Sequence, residues 1–330
     1  MPVKLEAVHG RFKILTRSPL ARQALALLTP TFVAVFFLPL VFLPGSALSA
    51  ARSAGQAPAP ALSPAQAQAL VQRALATESH AAQDLSHVGH PMRYRLRKTS
   101  PNLTSTKEIV ETRDGDVARL ISINDQPLSQ ADEQKEQARL QSLLDNPGLQ
   151  QHRKQSEGSD TERALKVLRV LPSAFLYQFA GTISTPNGIP GGTPNGTVAR
   201  FTFKPNPHFD PPDTETGVLT AMAGEIWVDP VEERVVRLAG SLQQDKLLYW
   251  GLGELDKGGS IEIAQADVGG LQWRIVHLKL KMNIRELIKI KPSDSVQEYS
   301  DFAPVPANLN YKDAIQLLRS NSWPAAQGTH

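Results

Sequence analysis

Two groups of residues have the types and spacing for chemistry. In FTFKPNPHFDPP, Phe201 to Pro212, His208 and Asp210 stand two apart in a loop stiffened by four prolines. An imidazole beside a carboxylate is the base and orienter of a hydrolytic site, which also needs a nucleophile within hydrogen-bond reach. The nearest hydroxyls, Thr202 and Thr214, sit in no nucleophile motif, and no GxSxG, SxxK or HExxH pattern occurs. The prolines read instead as punctuation: Pro205 and Pro207 end a strand, and Pro211-Pro212 fixes an extended exit. The loop is expected to be structural, and a hydrolase using His208 and Asp210 is the alternative.

The second group is His80, His87 and His90 with Asp84 between them, a donor set that zinc or copper accepts. The spacings are loose and the segment leads from a helix into the first strand, so no metal is expected. There is no cysteine, hence no disulfide framework and no thiolate ligand. No Gly-rich loop precedes a helix in phosphate-binding style, and no cofactor is expected.

The elements that would position these residues follow from periodicity. Ala67, Leu70, Val71, Ala74 and Leu75 have helical spacing within Gln66 to Leu85. From Pro91 the period becomes two: Met92, Tyr94 and Leu96 alternate with Arg93, Arg95 and Arg97. TSTKEIVET, the turn signal Asp114-Gly115 and VARLISIN extend this to a three-stranded meander. Ser129 and the acids Asp132, Glu133 and Glu136 open a helix that stops at Asn146-Pro147. SDTE, Ser159 to Glu162, reads as the capping box of a second helix, with Ala164, Leu165, Leu168 and Leu171 as its apolar stripe and Pro172 as its end. Strands then resume, interrupted by the Gly/Pro-rich excursion Pro186 to Gly196. The cleanest alternation is VHLKLKMNI, with Val276, Leu278, Leu280, Met282 and Ile284 on one face. A strand from LIKIK to EYSDF and a helix at YKDAIQLLRS close the chain. The sum is α+β: a large curved, mostly antiparallel sheet of about eight to eleven strands, a half-open barrel with helices packed on its apolar face.

The first 50 residues stand apart. Lys4, Arg11, Lys13, Arg17 and Arg22 precede Ala24 to Ala50, which carries no charge. That is the pattern of a signal peptide, with small residues for cleavage after Ser49. An uncleaved inner-membrane anchor at residues 24–44 is the alternative, since about 20 apolar residues span a bilayer. Either fate implies export to the periplasm or envelope, with membrane contact through this segment if it is retained. The leader carries five basic residues against Glu6, a net +4 that exceeds the +3 of the whole chain and leaves about −1 for the rest. The basic balance is thus no sign of a nucleic-acid partner. Residues 51–65 are an Ala/Pro-rich linker, 66–320 a single domain and 321–330 a tail.

GEIWVDPVEERVVRLAGSL, Gly224 to Leu242, joins a Trp-containing strand ending in Asp to an acidic turn and a strand of the type RVVRLxG. This resembles the LolA/LolB-like lipoprotein-carrier superfamily of exported envelope proteins. DGDVARLISINDQPLS, DTERALKVLRVLPSAFLY, FTFKPNPHFDPP and LDKGGSIEI resemble more closely a family of exported bacterial proteins without an assigned activity, over about Pro91 to Pro306. The carrier resemblance implies a concave apolar face that holds acyl chains. It transfers no site residue, because the carriers' ligand contacts have no positional match here. The apolar positions that would line such a cavity are Tyr94, Phe201, Phe203, Trp227, Leu278, Leu280 and Met282. The expected partner is a lipid or lipoprotein acyl chain. A scaffold binding an envelope protein through the charged sheet face or the Pro186 to Gly196 loop is the alternative.

Overall fold

The computed structural model describes residues 62–83, 90–184, 196–248, 253–269, 272–286 and 289–320. The leader, most of the linker, Asp84, His87, residues 186–195 of the Gly/Pro-rich excursion and the tail lie outside the described residues. Within the described residues no helix is long and apolar enough to cross a membrane.

In chain order the elements are α1 (Pro64–Gln83), β1 (Met92–Ser100), β2 (Leu103–Val110), β3 (Val117–Ile123), β4 (Gln126–Pro127), α2 (Gln130–Asp145), α3 (Pro147–Ala174), β5 (Phe175–Ser184) and β6 (Thr197–Pro205). After α4, a single turn of helix (Thr214–Gly217), and a 3-10 turn, Val218–Ala221, come β7 (Met222–Asp229), β8 (Arg234–Leu242), β9 (Lys246–Leu248), β10 (Gly253–Leu255), β11 (Ser260–Asp267), β12 (Trp273–Glu286), β13 (Lys289–Pro304) and α5 (Tyr311–Arg319).

The strands form one antiparallel sheet in the order β4-β3-β2-β1-β13-β12-β11-β8-β7-β6-β5, with β10 pairing with β12 and β9 with β10. Its ends do not meet, so the curved sheet is open. It has 13 strands, more than periodicity suggests, because β4, β9 and β10 are two or three residues long, too short to show an alternation. The curvature has local causes. Register slips at Arg93/Arg95, Thr106/Lys107, Phe179/Thr182, Trp227/Val228 and Ala264/Gln265, and each extra residue bends its strand and increases the twist. In β13 the extra residue lies at Asp301, whose φ is +57° and whose carboxylate accepts from Arg95 at 3.2 Å.

The β3 side of the sheet is finished by side chains. Leu120 N–H donates to Glu136 Oε1 at 2.9 Å, and Ala118 O accepts from the Arg139 guanidinium, so α2 supplies bonds that another strand would otherwise make.

Helix starts are where the sequence reading needs correction. α3 is one helix of 28 residues, about 42 Å long, running straight through Ser159. Ser159 Oγ donates to Gln155 O at 3.0 Å, the back-bond of a mid-helix serine, so SDTE caps nothing. The Asn146-Pro147 pair that ends α2 also begins α3, because proline lacks only an N–H that a first turn leaves unpaired. The reciprocal capping box is elsewhere. Gln66 N–H donates to Ser63 Oγ at 3.3 Å and Ser63 N–H to Gln66 Oε1 at 2.9 Å, starting α1 within the stretch read as linker.

The stripe on α1 buries as its spacing predicts, and with Leu165, Leu168 and Leu171 of α3 it covers Phe175, Tyr177, Phe201, Phe203 and Ile226 on the sheet. α2 goes to the other side. Leu140 and Leu143 join Ala314, Ile315 and Leu318 of α5 over Val110 and Val117, and Val110 pairs with Arg93, whose side chain points away from the face of Tyr94. Helices therefore sit on both faces, and the two inserted mid-chain do not both cover the apolar one.

Candidate functional site

Cross-strand register sorts the predicted residues by face, because directly paired residues share a face. One row runs Lys98, Gln297, Leu278, Ile263, Leu238, Ile226, Phe201, Phe179 across eight strands. The adjacent row runs Arg97, Glu298, His277, Ala264, Arg237, Trp227, Arg200. The first is apolar from Leu278 to Phe179 and the second is mostly polar or charged, with Ala264 and Trp227 as its apolar members, so the two-faced sheet expected from alternation is present. Tyr94, Phe201, Phe203, Leu278, Leu280 and Met282 lie on the apolar face. Trp227 lies on the charged face, where the Arg237 guanidinium stacks 4.8 Å from its ring centroid and its Nε1 donates to Glu225 at 3.3 Å. It is excluded from any cavity on the apolar side.

The six that share a face fall into two clusters. Tyr94, Leu278 and Leu280 pack with Met92, Ile109, Ile263 and Tyr299, and Met282 lies at the margin. The Tyr94 ring stacks on Phe302 at 5.4 Å. Phe201 and Phe203 belong to the cluster under α1 and α3, with the Phe175 and Phe203 rings 4.5 Å apart. Phe201 is fully buried and Phe203 nearly so. Of the seven, Phe203 alone borders a described opening. This is a groove of about 550 Å³ between the start of α1 and the outer strands, lined by Leu62, Pro64, Leu176, Tyr177, Phe179 and Phe203 with Gln178, Thr202 and Lys204 among them. The volume lies within the range of about 300–1,000 Å³ usual for small-molecule sites. A second, shallower hollow of about 330 Å³ lies between β7, β8, β11 and β12, with Glu225, Arg237, Glu262 and Lys279 among its lining residues.

Polar groups are also set into the apolar face. The Tyr299 hydroxyl donates to Gln297 Oε1 at 2.8 Å, and burial raises its pKa. Burial pushes the Lys98 ammonium down. Tyr94 is raised well above its ordinary value by burial and then by Asp116 and Glu111. Those carboxylates belong to a group that sequence reading missed. Burial pushes Glu111 up to about 7 and Asp116 and Glu157 up to about 8. The signal available was the charge density of ETRDGD, Glu111 to Asp116, which reads first as a hairpin turn.

The His208 loop does structural work. Asn206 N–H donates to Ala174 O at 2.9 Å and Asn206 Nδ2 to Ser173 O at 2.8 Å, satisfying carbonyls that the end of α3 leaves free. Tyr177 hydroxyl and Gln68 Nε2 do the same for Leu171 O and Pro172 O. The Asn206 carbonyl oxygen of the side chain accepts His208 N–H at 3.1 Å, while the His208 side chain is exposed. His80 and His90 are also exposed, and no group of three His, Asp or Glu side chains able to hold a metal occurs among the described residues.

Comparison of the chain with protein-family models, curated proteins and solved structures finds no match in any of the three.

Proposed function

We propose that the protein is a non-enzymatic, exported envelope protein of LolA/LolB-like kind that holds an acyl chain of a lipid or lipoprotein on the apolar side of its sheet. The observation that carries this reading is the groove bordered by Leu62, Leu176, Phe179 and Phe203, which opens at the rim of a sheet face whose row from Leu278 to Phe179 is apolar across six strands. Each buried methylene contributes about 0.8 kcal/mol, so about ten supply about 8 kcal/mol, from which the costs of association are subtracted. The exported location rests on the leader read from the sequence. Extracting the purified protein with organic solvent and titrating it with a fluorescent fatty acid tests the reading. Leu176 is 43% exposed and borders the groove, so Leu176→Asp sets a charge there without entering the core. The variant is expected to keep its stability within about 0.5 kcal/mol and to weaken binding about tenfold or more. A protein that extracts clean and binds no fatty acid overturns it.

One observation favours a second reading, an envelope scaffold. The hollow beside Arg237, Glu262 and Lys279 lies on the charged face away from α1 and α3, a surface suited to a protein partner of mixed charge. Charge reversal at Lys279 that removes an envelope crosslink while fatty-acid binding persists would support it.

A further inference from the structure

The N-terminal half of α3 is fastened to the loop joining β2 and β3. Gln150 Nε2 donates to Gly115 O at 2.9 Å and to Asp114 O at 3.1 Å, Arg153 Nη1 to Asp116 O at 3.0 Å, and Lys154 Nζ to Arg113 O at 2.8 Å. In return the Glu157 carboxylate accepts Asp116 N–H at 3.1 Å. The Asp116 carboxylate accepts Thr112 N–H, and Glu111 accepts Met92 N–H at 2.9 Å. Three carboxyl groups from two elements thus meet at one seam. The charged groups facing them are Arg153 and Asp160 of α3 and Arg274 of β12, the last 4.0 Å from Glu111, with Tyr94 of β1 alongside. The fit is close: a Cβ on Gly115, whose φ is +94°, would stand 3.0 Å from Glu157 Oε2 and 3.2 Å from Gln150 Nε2. Gln150 is 2% exposed, and its buried Oε1 has no hydrogen-bond partner among the described residues.

We propose that this seam is a proton-operated latch: α3 stays on the 111–116 loop while the clustered Glu111, Asp116 and Glu157 carboxyls retain protons, and releases it when their ionisation sets like charges against one another across the seam. A carboxyl O–H is the kind of donor that the buried Gln150 oxygen lacks, and it exists only in the protonated latch. Burial is the main reason these groups keep protons near neutrality. For Asp116 the next cause is the charge of Glu111, and for Glu157 it is that of Asp116, so each ionisation makes the next harder. The sign follows from linkage. Values raised by folding mean that the closed seam binds more protons than the open one, so its stabilisation is complete below about pH 4 and is lost as pH rises through 7 to 8.

Hydrogen exchange of the full-length protein at pH 6, 7, 8 and 9, corrected for intrinsic rates, tests the latch. The opening equilibrium at residues 111–117 and 150–158 is expected to rise by about tenfold per pH unit between pH 6 and 8 for each proton released, while β12 and β13 stay protected. Glu157→Gln, which keeps an acceptor for Asp116 N–H and removes a charge, is expected to hold the seam closed at pH 9, and Asp116→Asn serves if that variant does not fold. The proposal is overturned by a seam whose protection does not change with pH, by loss of the seam and β12–β13 together, or by neutral variants that open with the same pH dependence as the parent.

Discussion

At the residue scale, Asn206 and His208 separate structure from chemistry within one loop. The Asn206 side chain closes Ser173 O at the end of α3 and accepts His208 N–H, so Asn206→Ala, which keeps the backbone bond to Ala174 O, is expected to destabilise the protein by about 1–2 kcal/mol in urea unfolding. His208→Ala, at an exposed ring, is expected to change stability by less than about 0.5 kcal/mol. Any hydrolytic turnover lost with His208→Ala while the fold is intact would revive the hydrolase alternative. Trp227 teaches a related lesson. In EIWVD, Trp227 shares its parity with Glu225 and Asp229 while Ile226 and Val228 take the other, so the alternation already points Trp227 to the polar face and only its large apolar ring suggests a cavity. Pairing with Phe201 puts Ile226 inside, and Trp227 takes the side of Arg200 and Arg237.

At the element scale, α1 is clamped to the sheet by a buried ion pair. Arg234 donates through Nε and Nη2 to the two oxygens of Glu78 at 2.9 and 3.0 Å, Val235 N–H adds a bond at 2.9 Å, and the guanidinium lies 5.2 Å from the Trp273 ring centroid. Both side chains are under 9% exposed. Glu78→Ala strands a buried charge and is expected to cost about 3–5 kcal/mol in denaturant unfolding. Replacing both partners by apolar residues of similar size is expected to cost much less. Neither partner was legible as such, because Glu78 and Arg234 are 156 residues apart in the chain and each reads locally as a solvated charge. What was legible depended on repetition. The β12 alternation and the α1 stripe recur often enough to fix type and face, although Val276 falls at the slip between Ala264 and Gln265 and breaks the row predicted for it. A single signal misleads more easily, as SDTE does inside α3, where a continuous helix leaves no free N–H to cap.

At the scale of the whole molecule, helices on both faces leave the seam between β1 and β13 as the joint on which the sheet depends. β1 to β4 form a local meander, and β5 to β8 with α1 and α3 carry the largest apolar cluster. β13, β12 and β11 join them. A fragment ending at Asp145 retains β1 to β4 but lacks β13 and also α5, which supplies Ala314, Ile315 and Leu318 to the cover over Val110 and Val117. It is expected to show no slowly exchanging amides when its hydrogen exchange is measured, whereas β1 in the complete chain is expected to be among the best protected strands.

The bulge that joins Arg95 to Asp301 ties residues 206 positions apart in the chain. During synthesis at about 5–20 residues per second, β1 therefore waits about 10–40 s for its second neighbour to be made. Throughout that wait the nascent chain carries one raw strand edge and the bare side chains of Tyr94 and Leu96, and this is when a chaperone has most to hold.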